Sequence, residues 1–234
     1  MKTELQRILS KRGIASRTEA AQLIKSGQVK VNGQVCTDPS RGFDPRATIE
    51  VFNQKIQIIK KYYLALNKPK GLIVSRSDEK GRPTVYDCLK SWKGPLLQAV
   101  GRLDQASEGL LLFTNDHLWS NLLMDPKTHI KKIYHVQVTP IPTSECLEEL
   151  SLGVIIDDKK TLPANFNFLR SGDKTAWISI ELHEGRNRQI RKMFESKKIE
   201  VIRLLRVQIG NLEIGPLQKG EWRELEANEI QIYN

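Results

Sequence analysis

The residues with the clearest chemical potential are Asp104 and Arg102, which lie two positions apart in the run V-G-R-L-D-Q-A-S-E-G. Gly101 and Gly109 flank them, and glycine tolerates the positive φ and the close backbone approach that a tight loop needs. The apolar run Leu110 to Phe113 follows and is closed by turn-forming residues, so it predicts a short buried strand. A loop carried on rigid elements is a common place for a reactive carboxylate. The same spacing also fits an acid that only caps a turn beside a solvated arginine.

The charge of the chain indicates a polyanionic partner. The 234 residues carry a formal net charge of +10, with a pI near 9.5. Residues 1–60 hold 11 Lys and Arg against 5 Asp and Glu, whereas the remaining residues hold 26 against 22. An anionic membrane could also attract this charge, but no basic helix with a bulky aromatic face accompanies it. The charge therefore favours nucleic acid as the partner.

Several classes of protein are disfavoured by what the sequence lacks. No apolar run approaches the roughly 20 residues that span a bilayer, and no signal segment follows the start, so we expect a cytoplasmic protein without membrane contact. The three cysteines are scattered and read as reduced thiols. The four histidines have no metal-ligand spacing, and G-x-G-x-x-G and Walker patterns are absent. We therefore expect no metal and no cofactor.

The first 55 residues predict two short helices and a hairpin. Leu5, Ile8 and Leu9 share one helical face, with Gly13 as its expected stop. Ser16 to Glu19 forms a capping box at the start of the second helix, and Asn32-Gly33 is a two-residue hairpin turn. The strings G-I-A-S-R-T-E-A-A-Q-L-I and G-Q-V-K-V-N-G resemble the S4-like RNA-binding domain. This resemblance implies a set of RNA-facing residues: Arg12, Ser16, Arg17, Lys25, Lys30 and Asn32.

The rest of the chain resembles another family through several strings in order. They are L-N-K-P-K-G, G-R-L-D with S-E-G-L-L-L-F-T-N-D, K-K-I-Y-H-V, E-G-R-N-R-Q-I-R-K-M-F and R-L-L-R-V-Q-I-G. Together they are similar to the pseudouridine synthases, in the branch that modifies ribosomal RNA. The expected division is therefore an S4-like domain over residues 1–60 and a catalytic domain over residues 61–234.

The resemblance implies a reaction and roles for particular residues. Uridine would be converted to pseudouridine on a base flipped out of the RNA, without a cofactor. Asp104 would be the nucleophile or electrostatic partner, with its target, sugar or base, left open. Arg191 would be the cation paired with Asp104, and Tyr134 would stack on the base. Further substrate-binding candidates are Arg102, Arg188, Gln189, Leu204 and Leu205.

The pattern of the second part predicts an α+β fold. Strands outnumber helices, and several adjacent strands are joined without a helical crossover, which indicates a mixed, mainly antiparallel sheet flanked by helices. The elements expected from periodicity are a helix at 118–124, a strand at 133–138, a helix at 144–150, a strand at 177–182, a helix at 188–194 and a strand at 201–209.

Some alternatives stay open at the level of sequence. Asp104 and Glu108 could form a glycosidase pair, although we expect Glu108 to face solvent. A non-catalytic RNA-binding or ribosome-assembly factor could use the same surfaces. The expected partner is ribosomal RNA or an assembly intermediate of a ribosomal subunit, bound by a monomer. Whether the small or the large subunit is modified is not decided by the motifs.

Overall fold

The computed structural model describes residues 2–12, 14–55 and 60–232. The chain forms two compact units. The first comprises the residues up to Tyr63 together with Trp92–Gln98 and Phe113–Leu118. The second comprises Leu64–Ser91, Ala99–Leu112 and the residues from Trp119 onward. Gly13, the expected helix stop, lies outside the described residues.

The first unit contains two helices and short strands. Their bounds are β1 Thr3–Glu4, α1 Leu5–Lys11, α2 Arg17–Lys25, β2 Val29–Val31, β3 Gln34–Val35, β4 Gly42–Phe43, β5 Ile49–Val51 and β6 Gln54–Lys55. Strands β3, β2, β5 and β6 form one antiparallel sheet in that order, and β1 pairs with β4. Leu5, Leu9, Ile24 and Ile49 are fully buried between the helices and this sheet.

Local interactions explain where these elements begin and turn. The Ser16 hydroxyl accepts a hydrogen bond from the Glu19 amide, and the Glu19 carboxylate accepts one from the Ser16 amide, so the predicted capping box is confirmed. Asn32 and Gly33 have φ of 52° and 82°, the values that a type I′ hairpin turn requires. The predicted hairpin between β2 and β3 is therefore also confirmed.

From Tyr63 onward the chain alternates strands with three helices among the described residues. The bounds are β7 Tyr63–Lys68, β8 Gln98–Val100, β9 Glu108–Thr114, α3 His117–Met124, β10 Lys132–Thr139, α4 Ser144–Ser151, β11 Ile155–Ile156, β12 Lys159–Lys160, β13 Asn165–Ser171, β14 Ala176–Leu182, α5 Gln189–Glu195, β15 Glu200–Ile209, β16 Leu212–Glu213 and β17 Trp222–Glu224. Short 3-10 helices occur at Val85–Leu89 and Pro126–Thr128.

One large sheet organises the second unit. In the described part of the chain it has nine strands, seven of them in the order β13-β14-β10-β15-β9-β7-β17, with β16 added to β15 and β8 to β9. The strand pairs with a defined register are antiparallel except β9 with β15, which is parallel. This arrangement confirms the predicted α+β class with a mixed, mainly antiparallel sheet.

Burial differs along this sheet. Every residue of β9 is buried, so both faces of this strand are covered. Strands β10 and β14 instead alternate between buried and half-buried residues, which is typical of strands with one face on the core. Among residues 2–12, 14–55 and 60–232, no helix combines the length and hydropathy needed to cross a membrane.

Candidate active site

Three residues from separate sequence motifs line one cavity of about 400 Å³ in the second unit. They are Asp104 from the loop before β9, Tyr134 from β10 and Arg191 from α5. The volume is within the range usual for small-molecule sites. The cavity is also lined by four of the other predicted substrate-binding residues: Arg102, Arg188, Gln189 and Leu204. Leu205, the fifth, is half-buried and is not among the cavity-lining residues of the described chain.

Hydrogen bonds to the backbone hold the loop that carries Asp104. The carbonyl of Asp104 accepts from the Ser107 amide at 2.9 Å, which closes a turn. The Gly71 amide donates to the Gln105 carbonyl at 2.8 Å, and the Gln105 side chain donates back to the Gly71 carbonyl at 3.1 Å. Gly101 has the positive φ, 74°, that the sequence predicted. The loop is therefore tied to the L-N-K-P-K-G motif.

Lys68 of the same motif lies buried beneath this loop. Its side chain is fully buried, and its ammonium donates to the carbonyls of Ser107 at 2.8 Å and Pro69 at 3.1 Å. Burial lowers the pKa of Lys68 to about 8, although the charges of Glu108, Asp104 and Cys88 oppose that shift. No role for Lys68 was predicted from the sequence, where its place in the motif is the only signal.

Arg191 braces the same loop from the other side. Its Nη1 donates to the Val201 carbonyl at 2.8 Å and its Nη2 to the Ala106 carbonyl at 3.3 Å. Burial lowers the pKa of Arg191, and Arg188 lowers it further, whereas Asp104 raises it. Among the described residues no ion pair within 4 Å joins Arg191 to Asp104. The charge of Asp104 thus reaches Arg191 through space, and Arg191 holds the loop of Asp104 through the Ala106 carbonyl.

The Asp104 carboxylate itself faces the cavity without a hydrogen-bond donor from the described residues. The residue is half-buried. An acidic oxygen that is left available in this way can approach a bound molecule. Tyr134, 8% exposed, and Leu204, 7% exposed, supply an aromatic and an aliphatic surface on the cavity wall.

The E-G-R-N-R-Q turn forms a positively charged part of the cavity wall. Arg188 is the N-cap residue that precedes α5, and its backbone is in the left-handed region with φ of 51°. The Gln189 side chain accepts from the Arg186 amide at 3.0 Å and donates to Glu184 at 2.6 Å, so this buried amide holds the turn together. The cations that line the cavity are Arg102, Lys132, Arg186, Arg188, Arg191 and Arg206, against the acids Asp104 and Glu184. Such an excess attracts phosphate groups.

Glu108 does not face solvent, so that expectation from the sequence was wrong. It is 2% exposed, and its carboxylate accepts from Arg203 at 3.1 and 3.2 Å and from Lys219 at 2.6 Å. Burial alone would raise the pKa of Glu108, but the hydrogen bonds and charges of these two cations outweigh it and lower the pKa. The partners of Glu108 are distant in sequence, so no local pattern indicated them.

The predicted RNA-facing residues of the first unit divide into two groups. Three use polar atoms within the fold: Arg12 donates to the carbonyls of Pro45 and Ala47 at 2.7 Å, Ser16 caps α2, and Asn32 accepts from the Thr48 amide at 3.1 Å. The other three, Arg17, Lys25 and Lys30, carry charge at exposed or half-buried positions. This second group is better placed to meet phosphates.

Comparisons with known proteins agree along the chain. Residues 5–49 match the family model described as S4 domain, and residues 62–196 match the one described as RNA pseudouridylate synthase. Ribosomal large subunit pseudouridine synthase B of Bacillus subtilis is 40% identical over 229 residues, which cover 97% of this chain and 93% of that protein. The protein of the same name from Salmonella typhi is 34% identical over 233 residues, covering 97% and 80%. A crystal structure described as a pseudouridylate synthase shares 27% identity with a TM-score of 0.71, covering 98% of this chain and 99% of that one.

Proposed function

The chain belongs to the RNA pseudouridine synthase family, and from this we propose that it isomerises uridine to pseudouridine in ribosomal RNA, with Asp104 at the reacting centre. The observation that carries the proposal is the single cavity that contains Asp104, Tyr134 and Arg191, because these residues come from three separate motifs of the chain. A protein that only binds RNA has no need to bring them together.

The residues fit the demands of the reaction. The bond between C1′ of the ribose and N1 of uracil must break, the base must turn, and C5 must join C1′. The carboxylate of Asp104 stabilises or attacks the electron-poor centre. Arg191 holds the loop of Asp104 through the Ala106 carbonyl, and the charge of Asp104 raises the pKa of Arg191. Tyr134 supplies a flat surface for the base, and Leu204 closes the wall beside it.

The base must leave its stack in the RNA to reach this cavity. Extrusion of a base costs a few kcal/mol, and less from a loop than from a duplex. Stacking on Tyr134 and phosphate contacts with Arg102 and Arg188 offset that cost. We further propose that residues 1–60 dock the enzyme on RNA and that residues 61–234 carry out the isomerisation.

The target is proposed to be large-subunit ribosomal RNA. The motifs alone left the subunit open. The relatives from Bacillus subtilis and Salmonella typhi are both ribosomal large subunit enzymes, and the alignments cover 97% of this chain. The two subunits can be distinguished by mapping pseudouridine in both ribosomal RNAs of a deletion strain.

The test of the reacting centre is Asp104→Asn, which keeps the size of the side chain but removes its charge. We expect loss of the pseudouridine that a deletion strain also lacks, measured by carbodiimide mapping of ribosomal RNA. Asp173→Asn is the matched control, because Asp173 is an exposed acid outside the cavity. If the Asp104→Asn protein restored full pseudouridine modification to the deletion strain, Asp104 would not have the proposed role. That result would favour a non-catalytic RNA-binding factor.

A further inference from the structure

Three cations of the cavity wall take no part in the chemistry above: Arg186, Arg206 and Lys132. Arg186 donates to the carbonyls of Lys159 and Ile156, so its guanidinium is used within the fold. Arg206 is 6% exposed, and its Nε donates to the Leu110 carbonyl at 2.8 Å, which fixes the guanidinium. Its buried Nη2 has no hydrogen-bond partner among the described residues. A buried donor without an acceptor costs about 1–3 kcal/mol, and more when it is charged. We therefore expect Nη2 of Arg206 to find its acceptor in a molecule bound in the cavity.

No acid of the described chain neutralises Arg206 or Lys132 by an ion pair within 4 Å. Glu184, one of the two acids in the cavity, accepts instead from the Leu162 amide at 2.9 Å and from Gln189 at 2.6 Å. Burial lowers the pKa of Lys132, and the charge of Arg206 lowers it further, so the two cations share one neighbourhood. This part of the wall is an uncompensated positive site.

The sheet places Arg206 beside the expected position of the base. Arg206 pairs directly with Tyr134 across β10 and β15, and residues opposite each other in this way have Cβ atoms about 4.5–5.5 Å apart. On the other side of Arg206 lies Gly109 of the parallel strand β9, where a Cβ would meet the backbone of Arg206. The Arg206 side chain thus lies next to the aromatic ring that supports the uracil.

The isomerisation creates a charge that Asp104 cannot stabilise. When the C1′–N1 bond breaks, the electron pair stays on uracil as an anion shared by N1, O2 and O4, and C1′ becomes electron-poor. The negative Asp104 suits C1′ but repels the anion. C5 then gives an electron pair to C1′, the proton on C5 leaves, and N1 takes up a proton, so no atom is gained or lost.

We propose that Arg206, assisted by Lys132, holds the carbonyl oxygens of the detached uracil anion and stabilises it while the ring turns. This inference rests on the proposed function and adds a second charged position to the site. Asp104 stabilises the electron-poor C1′ of the sugar, and Arg206 stabilises the negative charge on the base. Hydrogen-bond donors that are fixed in advance toward a developing charge accelerate reactions more than donors that must reorganise.

The first experiment measures single-turnover rates at saturating RNA. We expect Arg206→Met to slow the reaction about 100-fold, which is the usual effect of one such donor. Lys132→Met, whose wild-type side chain makes no ion pair within 4 Å in the described chain, should slow it about tenfold, and RNA affinity should stay within about twofold in both. Arg170→Met removes an exposed cation of β13 outside the cavity and should change neither quantity.

The second experiment separates charge stabilisation from a structural role. An RNA with 5-fluorouridine at the target position releases a more stable anion, which needs less help from Arg206. For cleavage of the C1′–N1 bond, the wild type should therefore exceed Arg206→Met by a smaller factor with this RNA than with the uridine RNA. The same should hold for Lys132→Met. Equal ratios for both RNAs, or full rates in both variants, would overturn the inference. If Asp104→Asn is inactive in either case, the proposed function stands independently.

Discussion

At the scale of single residues, two carboxylates four positions apart have opposite environments. Glu108 is buried and bound by Arg203 and Lys219, so its charge is neutralised within the fold. Asp104 is half-buried in the cavity and accepts no side-chain hydrogen bond from the described residues. This difference gives Glu108 a structural role and fits the role proposed for Asp104 at the reacting centre. Because Glu108 is bound by Arg203 and Lys219, it is not available as the second carboxylate of a glycosidase pair.

Glu108→Gln tests the structural role of that acid. The change keeps the volume but removes the charge that Arg203 and Lys219 share, and we expect the free energy of unfolding to fall by about 2 kcal/mol at pH 7. The pKa of Glu108 is lowered in the folded protein from its ordinary value of 4.5. Its stabilisation is therefore complete above pH 4.5 and disappears as the pH falls through the lowered pKa.

Urea unfolding of the wild type and of Glu108→Gln, from neutral pH to below pH 4.5, measures this change in the free energy of unfolding. The stability difference between wild type and Glu108→Gln should be constant at neutral pH and shrink in acid. A difference that stays the same down to the acid limit would show that packing, and not charge, is what Glu108 contributes.

At the scale of elements, the contact between β9 and β15 shapes the site. The parallel register sets Gly109 opposite Arg206. A Cβ at position 109 would lie 2.2 Å from the Arg206 carbonyl oxygen and 2.8 Å from its amide nitrogen, and Gly109 has φ of 103°. Both facts require glycine there. The sequence predicted a close approach at Gly109, but the identity of the approaching strand required the tertiary structure.

Gly109→Ala should therefore lower the free energy of unfolding by about 3 kcal/mol, because the backbone must move or strain. Thermal or urea unfolding measures this change. Gly172→Ala is the matched control, since a Cβ there meets nothing within 4 Å, and its effect should stay within about 0.5 kcal/mol. Equal effects in the two variants would mean that β9 and β15 are not held this closely in solution.

The sequence predicted elements better than it predicted side-chain partners. Periodicity located α3, α4, α5 and the long strands because local pattern determines which face is buried. It could not choose between Leu204 and Leu205, since the register of β10 with β15 shifts at two irregularities, and a shift of one residue exchanges the faces of a strand. The roles of Lys68 and Arg12 were hidden because their acceptors are backbone carbonyls, which every residue has.

At the scale of the whole molecule, the excess positive charge is concentrated before residue 60. Lys25 and Arg17 are exposed there on α2. Each phosphate contact releases counterions, so the affinity for RNA should depend steeply on salt.

Replacing either Arg17 or Lys25 with Gln should weaken RNA binding and reduce the slope of log affinity against log salt by about one unit. Titrations at several salt concentrations measure this slope. Ser16→Ala provides the contrast, because loss of the capping box should cost about 1 kcal/mol of stability while leaving the slope unchanged. A slope unaffected by either charge removal would mean that α2 does not meet phosphates.

The wall shared by β9 and β15 also has a consequence for biosynthesis. Strand β15 spans Glu200–Ile209 and supplies Leu204 and Arg206, whereas the last segment of the first unit is Phe113–Leu118. Segments fold as they emerge, the earlier ones first. We therefore expect a growing polypeptide to complete its first unit before the cavity exists, and a product terminated before β15 to keep the proposed docking surface without the proposed chemistry.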